Sequence, residues 1–271
     1  AAAHEIFHTA ILAHDDVIDQ SATRRGKPSL HKAIGDNHYG VSQAISLGDA
    51  GFFLAMKIIA ESKFSESVKN KALRIFTDSM LDTAVGEMLD VALPKEKNLK
   101  EKDVLKIAML KTARYSFAAP LTLGAKLNHP EGELDLHLPA SLDRFGINLG
   151  IAFQIQDDIL GIFGDEKETG KSVQSDISEG KITFLLTHAL KHADKKMLDF
   201  LKRNYGKGDI AKTDAKKIRE IFVKTGAYDY SRKKVNYYSE NARIVLEKLT
   251  INNYFRKILR EFINELMERK H

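Results

Sequence analysis

Phe7-His8-Thr9-Ala10-Ile11-Leu12-Ala13-His14-Asp15-Asp16-Val17-Ile18-Asp19 is an apolar stretch that closes on three aspartates. It continues a run from Ala1 without proline, glycine or strict apolar/polar alternation, so Ala1 to Val17 reads as the interior of one helix. On that helix Asp15 and Asp19 stand ~40° apart around the axis and ~6 Å apart along it, so both carboxylates can reach one ion or two adjacent ions. Like charges four residues apart otherwise weaken a helix. Far downstream, Gln156-Asp157-Asp158-Ile159-Leu160-Gly161, running on to Asp165, ends a second apolar helix in the same way. Either cluster alone is explained by a solvated helix end. Two of them, each bordering an apolar wall and each followed by basic residues, point to a shared cation site.

The same helical spacing recurs elsewhere. Phe255, Leu259, Phe262 and Leu266 repeat at three and four residues, as do Ile218, Ile221 and Phe222 ahead of Gly226, a helix stop. Breaks fall at Arg25-Gly26-Lys27-Pro28, Leu93-Pro94 to Asn98, Asn128 to Pro139, Gly161 to Gly180 and Tyr205-Gly206-Lys207-Gly208. None is a low-complexity linker. The expectation is an all-α chain and one domain over residues 1–271. Ala1 is not Met and no capping residue precedes the first helix, so the natural protein is expected to begin earlier, with N-terminal helices absent here.

Composition narrows the function. The 271 residues are 43% hydrophobic and 29% charged, with no Cys, which removes disulfides, thiol nucleophiles and Cys-held metals. The net charge of +5 is spread among interleaved acids without a regular aromatic pattern, so nucleic acid is not an expected partner. No run reads as a membrane span of ~18 apolar residues, and no secretory leader is visible, so a cytoplasmic protein is expected.

His4-Glu5-Ile6-Phe7-His8 spells the HExxH string of zinc metalloproteases, with His14 at the third-ligand place. The longer motif has a glycine between its second and third histidines that lets the chain leave the helix. This chain has Ile11 instead, and on a continuous helix His14 lies ~15 Å along the axis from His4 and ~80° around it. Packing histidines are the expectation.

Carboxylates without His or Cys neighbours favour hard cations such as magnesium, whose coordination is commonly completed by substrate phosphates. Cations suited to a diphosphate follow: Arg24 and Arg25, Lys111 in Leu110-Lys111-Thr112-Ala113, then Lys171 and Lys181. No Walker loop or GxGxxG accompanies them.

With these residues in order, the chain resembles the trans-isoprenyl diphosphate synthases. The resemblance rests on Phe7 to Asp19, Thr23-Arg24-Arg25-Gly26-Lys27-Pro28, Gly86-Glu87-Met88-Leu89-Asp90, Lys111-Thr112-Ala113 and Phe153-Gln154-Ile155-Gln156-Asp157-Asp158. It continues through Gly164-Asp165, Thr169-Gly170-Lys171-Ser172, Asp176 and Glu179-Gly180-Lys181. The family implies a single bundle of long helices around a central apolar tunnel, a homodimer, and three magnesium ions bridging the aspartates to an allylic diphosphate. By resemblance Asp15, Asp19 and Asp157 are metal ligands, with Asp16, Asp158 and Asp90 near them. Arg24, Lys111, Thr112, Gln154, Lys171 and Lys181 match positions that hold the allylic substrate, and Arg25 one that holds isopentenyl diphosphate.

Three departures stand out. Gly161 replaces a third aspartate, Glu87 replaces a glutamine, and the upstream Gly-Gly-Lys-Arg segment that binds isopentenyl diphosphate is absent. Competing readings are a class I terpene cyclase, whose second metal triad has no match here, and a non-catalytic subunit of a heteromeric synthase. For product length, family members that stop at fifteen carbons often carry an aromatic four or five residues before the first aspartate. Those places are Ile11 and Ala10, and Phe7 is the next position on that face. The expectation is a floor at Phe7 and a product of about twenty carbons, geranylgeranyl diphosphate, with longer polyprenyl chains as the alternative.

Overall fold

The computed structural model describes residues 1–96, 98–128, 137–164 and 175–268. Lys171 and Asp165 lie outside the described residues. The chain is helical as its periodicity requires. α1 (Ala2–Ile18) leads into a two-stranded antiparallel hairpin, β1 (Thr23–Arg24) and β2 (Lys27–Pro28), and then α2 (Leu30–Ile34), α3 (His38–Ala60) and α4 (Glu66–Ala92). α5 (Glu101–Ile107) runs without a break through a π-helical segment, Ala108–Ala118, into α6 (Ala119–Asn128). α7 (His137–Phe163) and the short α8 (Ser175–Glu179) complete the site. Four more helices follow: α9 (Phe184–His192), α10 (Lys195–Asn204), α11 (Lys212–Lys224) and α12 (Ala227–Lys248). The last described element is α13 (Asn253–Glu268).

α7 sits centrally, between the π-helical segment and α12, while α1 packs on α3 and α4 on the π-helical segment. Two cores result. One joins Ile155 and Ile162 of α7 to Phe184, Leu185, Ile218 and Phe222. The other joins Phe7, Ala55, Phe76 and Tyr115. Each fully buried aromatic or branched side chain contributes ~1.5–3 kcal/mol, so the two cores fix the walls between them. Between them lies a cavity of about 470 Å³ bounded by α1, α4, the π-helical segment and α7.

Several sequence signals have their expected outcome. α11 ends at Lys224, and Gly226 takes the left-handed conformation (φ 74°) beyond it. Ile218, Ile221 and Phe222 are buried. In α13 the buried stripe is shifted: Ile263 is fully buried, whereas Phe255 and Phe262 are exposed.

One helix bears on the expectation of no membrane span. α3 is long and apolar enough, by length and composition, to cross a membrane, although only 17% of its most apolar window is buried inside the protein. Its small residues Gly40, Ala44, Gly48 and Ala55 are its buried ones. Its large ones, Leu47, Phe53 and Leu54, are exposed, as are Leu81, Val85, Met88 and Val91 on the adjoining α4.

Candidate active site

α1 and α4 bring the first acidic group together. Ligand oxygens of Asp15, Asp19 and Glu87 all lie within 4.8 Å of one another. Gly86 makes this possible: a Cβ there would collide with the backbone of Lys111, so only glycine lets α4 close on the π-helical segment at this level. Glu87 and Asp90 then reach the Lys111 ammonium at 2.9 and 2.7 Å, with Asp15 at 3.4 Å. Burial alone would lower the pKa of Lys111, but Asp90, Asp15 and Glu87 override it and hold the ammonium protonated. Burial pushes Glu87 above the usual carboxylate range, with Lys111 opposing, and Asp19 likewise, with Lys181 opposing.

The second group stands on α7 and α8. Asp157, Asp158 and Asp176 line the same cavity as Asp15, Glu87 and Asp90. A relay crosses from the π-helical segment to α7: the Thr112 hydroxyl donates to Gln154 Oε1, and Gln154 Nε2 donates to Asp158 Oδ1 at 2.8 Å. Burial drives the Asp158 carboxyl well up, with Asp176 and Asp157 adding to it. Lys181 ties the groups together, 3.4 Å from Asp19 and 3.2 Å from both Asp176 and Glu179.

The hairpin supplies the arginines. Arg25 and Gly26 form its two-residue turn, both with positive φ (54° and 72°), a conformation that L residues other than Asn and Asp seldom adopt. Arg24 donates from Nε and Nη2 to Asp16 (2.8 and 2.6 Å) and from Nη2 to Asp15 (2.6 Å). Asp16 is buried, is not part of the cavity wall and accepts two of these bonds, whereas Arg24 and Arg25 both face the cavity.

Of the chain-length candidates, Ile11 lines the cavity. Ala10 packs on Gly51 of α3, and Phe7 is buried among Phe52, Phe76 and Tyr115; neither belongs to the wall. Both HExxH histidines, His4 and His8, stack on Tyr115, and His14 stacks on Phe52 beside Asp49. Among the described residues the only group spaced to hold a metal is Asp15, Asp19 and Glu87, without histidine.

Sequence reasoning assigned Tyr115 and Asp176 no role. Tyr115 follows Lys111 by four residues, and in the wide i→i+5 winding that spacing keeps both on the cavity face. The residues fit a hard divalent cation: the donors are carboxylate oxygens, and Glu87 Oε1 is buried with no hydrogen-bond partner.

The cavity of this helical bundle joins two carboxylate groups, buried cations and an apolar wall, a setting that can hold a metal-bound anion against an apolar chain. The chain belongs to the polyprenyl synthetase family, whose model matches residues 1–222. It is 34% identical to the geranylgeranyl diphosphate synthase of Saccharolobus solfataricus, over 93% of this chain and 74% of that protein. Identity to the geranylfarnesyl diphosphate synthase of Aeropyrum pernix is 31%, over 99% of this chain and 81% of that one. Among solved structures, the geranylgeranyl pyrophosphate synthase of Corynebacterium glutamicum, complexed with isoprenyl diphosphate and magnesium, superposes with a TM-score of 0.92. Its identity is 30%, covering 99% of this chain and 78% of that one. The polyprenyl synthase of Caulobacter crescentus CB15, complexed with calcium and isoprenyl diphosphate, gives 0.87 at 31% identity, covering 100% and 77%.

Proposed function

We propose that the protein condenses isopentenyl diphosphate with an allylic diphosphate and releases an all-trans product of about twenty carbons, geranylgeranyl diphosphate. The observation that carries this reading is the convergence of Asp15, Glu87, Asp90, Asp157, Asp158 and Lys111 on one cavity with an apolar wall below them. Asp15, Asp19 and Asp157 would hold magnesium, three ions by the family pattern, with Glu87 beside Asp15 and Asp19, and Asp158 beside Asp157. Magnesium held there would supply positive charge to the departing diphosphate.

Lys111, Lys181 and Arg24 face the same leaving group and share that work; Lys171 is assigned to it by resemblance. Arg25 holds the second diphosphate. The allylic C–O bond breaks and the diphosphate takes the electron pair. Aromatic and aliphatic side chains such as Ile11, Leu12, Phe117 and Phe153 keep water from the cation. The double bond of isopentenyl diphosphate then forms the new C–C bond, and the resulting cation loses a proton to the released pyrophosphate. Thr112 and Gln154 set the height of Asp158 and hence of the second group.

The enzyme is taken as cytoplasmic and as a homodimer, and the exposed apolar side chains of α3 and α4 support a dimer seated on those helices. Incubating the protein with labelled isopentenyl diphosphate, geranyl or farnesyl diphosphate and magnesium, then separating products by chromatography, tests the reading. A twenty-carbon diphosphate is expected. Unconsumed isopentenyl diphosphate with every primer overturns it.

A further inference from the structure

The break Tyr205-Gly206-Lys207-Gly208, directly after α10, folds back onto α8, the short helix that carries Asp176. Gly206 N–H donates to Ile177 O at 2.8 Å, alongside Gly180 N–H at 3.3 Å, and Gly208 N–H donates to Ser178 O at 3.0 Å. Carbonyls that a helix end leaves open are thus filled from this turn. Gly180 and Gly206 sit back to back, both with positive φ (75° and 73°). A Cβ on Gly180 would stand 2.8 Å from the Cα of Gly206, so the two turns touch along their backbones.

The residue after Gly180 is Lys181. Lys181, Ile182 and Thr183 join α8 to α9 outside any helix or strand, and all three line the cavity. The Tyr205 hydroxyl donates to Lys181 O at 2.7 Å, and the Thr183 side chain is a second hydrogen-bond partner of the same phenol. Thr183 in turn caps α9, accepting from Leu186 N at 3.2 Å. One phenol therefore grips both ends of the segment. Its ring meets the fully buried Phe222 of α11 edge-on at 6.2 Å, which fixes it from behind. Burial, with Asp176 and Asp158 adding to it, pushes the Tyr205 pKa up, so the phenol keeps its proton and donates.

What this segment carries is the Lys181 ammonium, 3.4 Å from Asp19 and 3.2 Å from both Asp176 and Glu179. A lysine side chain is long and flexible, so where its ammonium rests depends on where its backbone is held. We propose that Tyr205 is a positioning residue for the reaction: by gripping the Lys181 carbonyl and the Thr183 side chain, it keeps the Lys181 ammonium between the two acidic groups, where the diphosphate departs. The inference rests on the prenyl-transfer reading above and adds to it a residue that is not part of the cavity wall. A remote change that misplaces a group by about 1 Å can cost on the order of a hundredfold in rate. Loss of the phenol hydroxyl leaves the Gly206 and Gly208 bonds in place, so the expected cost is smaller.

The test is a double-mutant cycle. Tyr205→Phe, which keeps the ring against Phe222 and removes only the hydroxyl, is compared with the unaltered protein, Lys181→Met and the pair; Lys181→Gln gives a second background of the same kind. Rates are measured in magnesium with isopentenyl and farnesyl diphosphates each varied in turn, and binding of inorganic pyrophosphate with magnesium is titrated. Tyr205→Phe should lower kcat about tenfold and leave KM for isopentenyl diphosphate within twofold of the original, because Arg25 is untouched. Pyrophosphate should bind about threefold more weakly. In either Lys181 background the same substitution should change kcat and pyrophosphate affinity by less than twofold, since the group it positions is gone. An unchanged kcat in Tyr205→Phe overturns the positioning role. So does an equal loss with and without the Lys181 ammonium, the result that a general loosening of the fold would give. Both outcomes leave the prenyl-transfer reading standing while the unaltered protein forms product. An unaltered protein that forms no product and binds no pyrophosphate with magnesium overturns that reading, and the role of Tyr205 with it.

Discussion

The Asp176 carboxylate occupies the space that a side chain on Gly161 would need: a Cβ built on Gly161 overlaps an Asp176 oxygen. Asp176 comes from α8, lines the cavity, and pairs with Lys181 at 3.2 Å. The missing third aspartate on α7 is thus matched by an acid that arrives from the next helix, and only glycine at 161 leaves it room.

Restoring the family's aspartate should therefore do harm. Gly161→Asp is expected to lower stability by about 2 kcal/mol, the usual scale for overpacking and like-charge burial, and to depress turnover. The double variant Gly161→Asp with Asp176→Gly should recover most of both. Thermal melts and initial rates of the single and double variants check this, and additive losses would separate the two positions.

Lys111 holds three carboxylates. Its removal as Lys111→Met leaves Asp15, Glu87 and Asp90 uncompensated, a change that costs about 3 kcal/mol when a buried partner is lost. Denaturant unfolding in chelator should show the loss, and magnesium with pyrophosphate should return some of it.

Glu87 gives a pH dependence with a definite sign. Its folded pKa is raised above the ordinary 4.5, so the stability it contributes is present below that value and is lost as pH rises through the folded pKa. In chelator, Glu87→Gln should then melt higher than the original protein at pH 8, and the difference should vanish as the pH falls to that ordinary value. Paired melting curves across that range decide it.

Arg25 carries a backbone cost and a ligand role together. Left-handed φ costs a residue with a Cβ roughly 1–2 kcal/mol, so Arg25→Gly should not lower the melting temperature. The same change should raise KM for isopentenyl diphosphate about tenfold while leaving KM for the allylic primer near its original value. Steady-state kinetics with each substrate varied in turn measures the split.

Much of this site is legible in the sequence because it is written in local spacing. Asp15 and Asp19 are one helical turn apart whatever packs around them, and the stop at Gly226 needs only its own φ. Facing is another matter. Helical periodicity places Phe7, Ala10 and Ile11 on neighbouring positions of one helix, but whether each looks at the cavity depends on where α3 lies, and Ala10 meets α3 through Gly51. Tyr115 stands four residues after Lys111 and so shares its face on any helix, but nothing local says that its ring meets His8 of α1 across the cavity. α3 buries its small residues, Gly40 against α2 and Gly48 against α1, and leaves Leu47, Phe53 and Leu54 at the surface.

The central claim is that the two acidic groups act together on a diphosphate. The most direct measurement is the rate of transfer from labelled isopentenyl diphosphate to farnesyl diphosphate in magnesium, for the original protein, Asp15→Ala and Asp157→Ala. Each variant should be slower by about three orders of magnitude or more, since each loses a group that stabilises the departing charge, and chelator should stop the original protein equally. Full rates in both variants, or in chelator, would contradict the account.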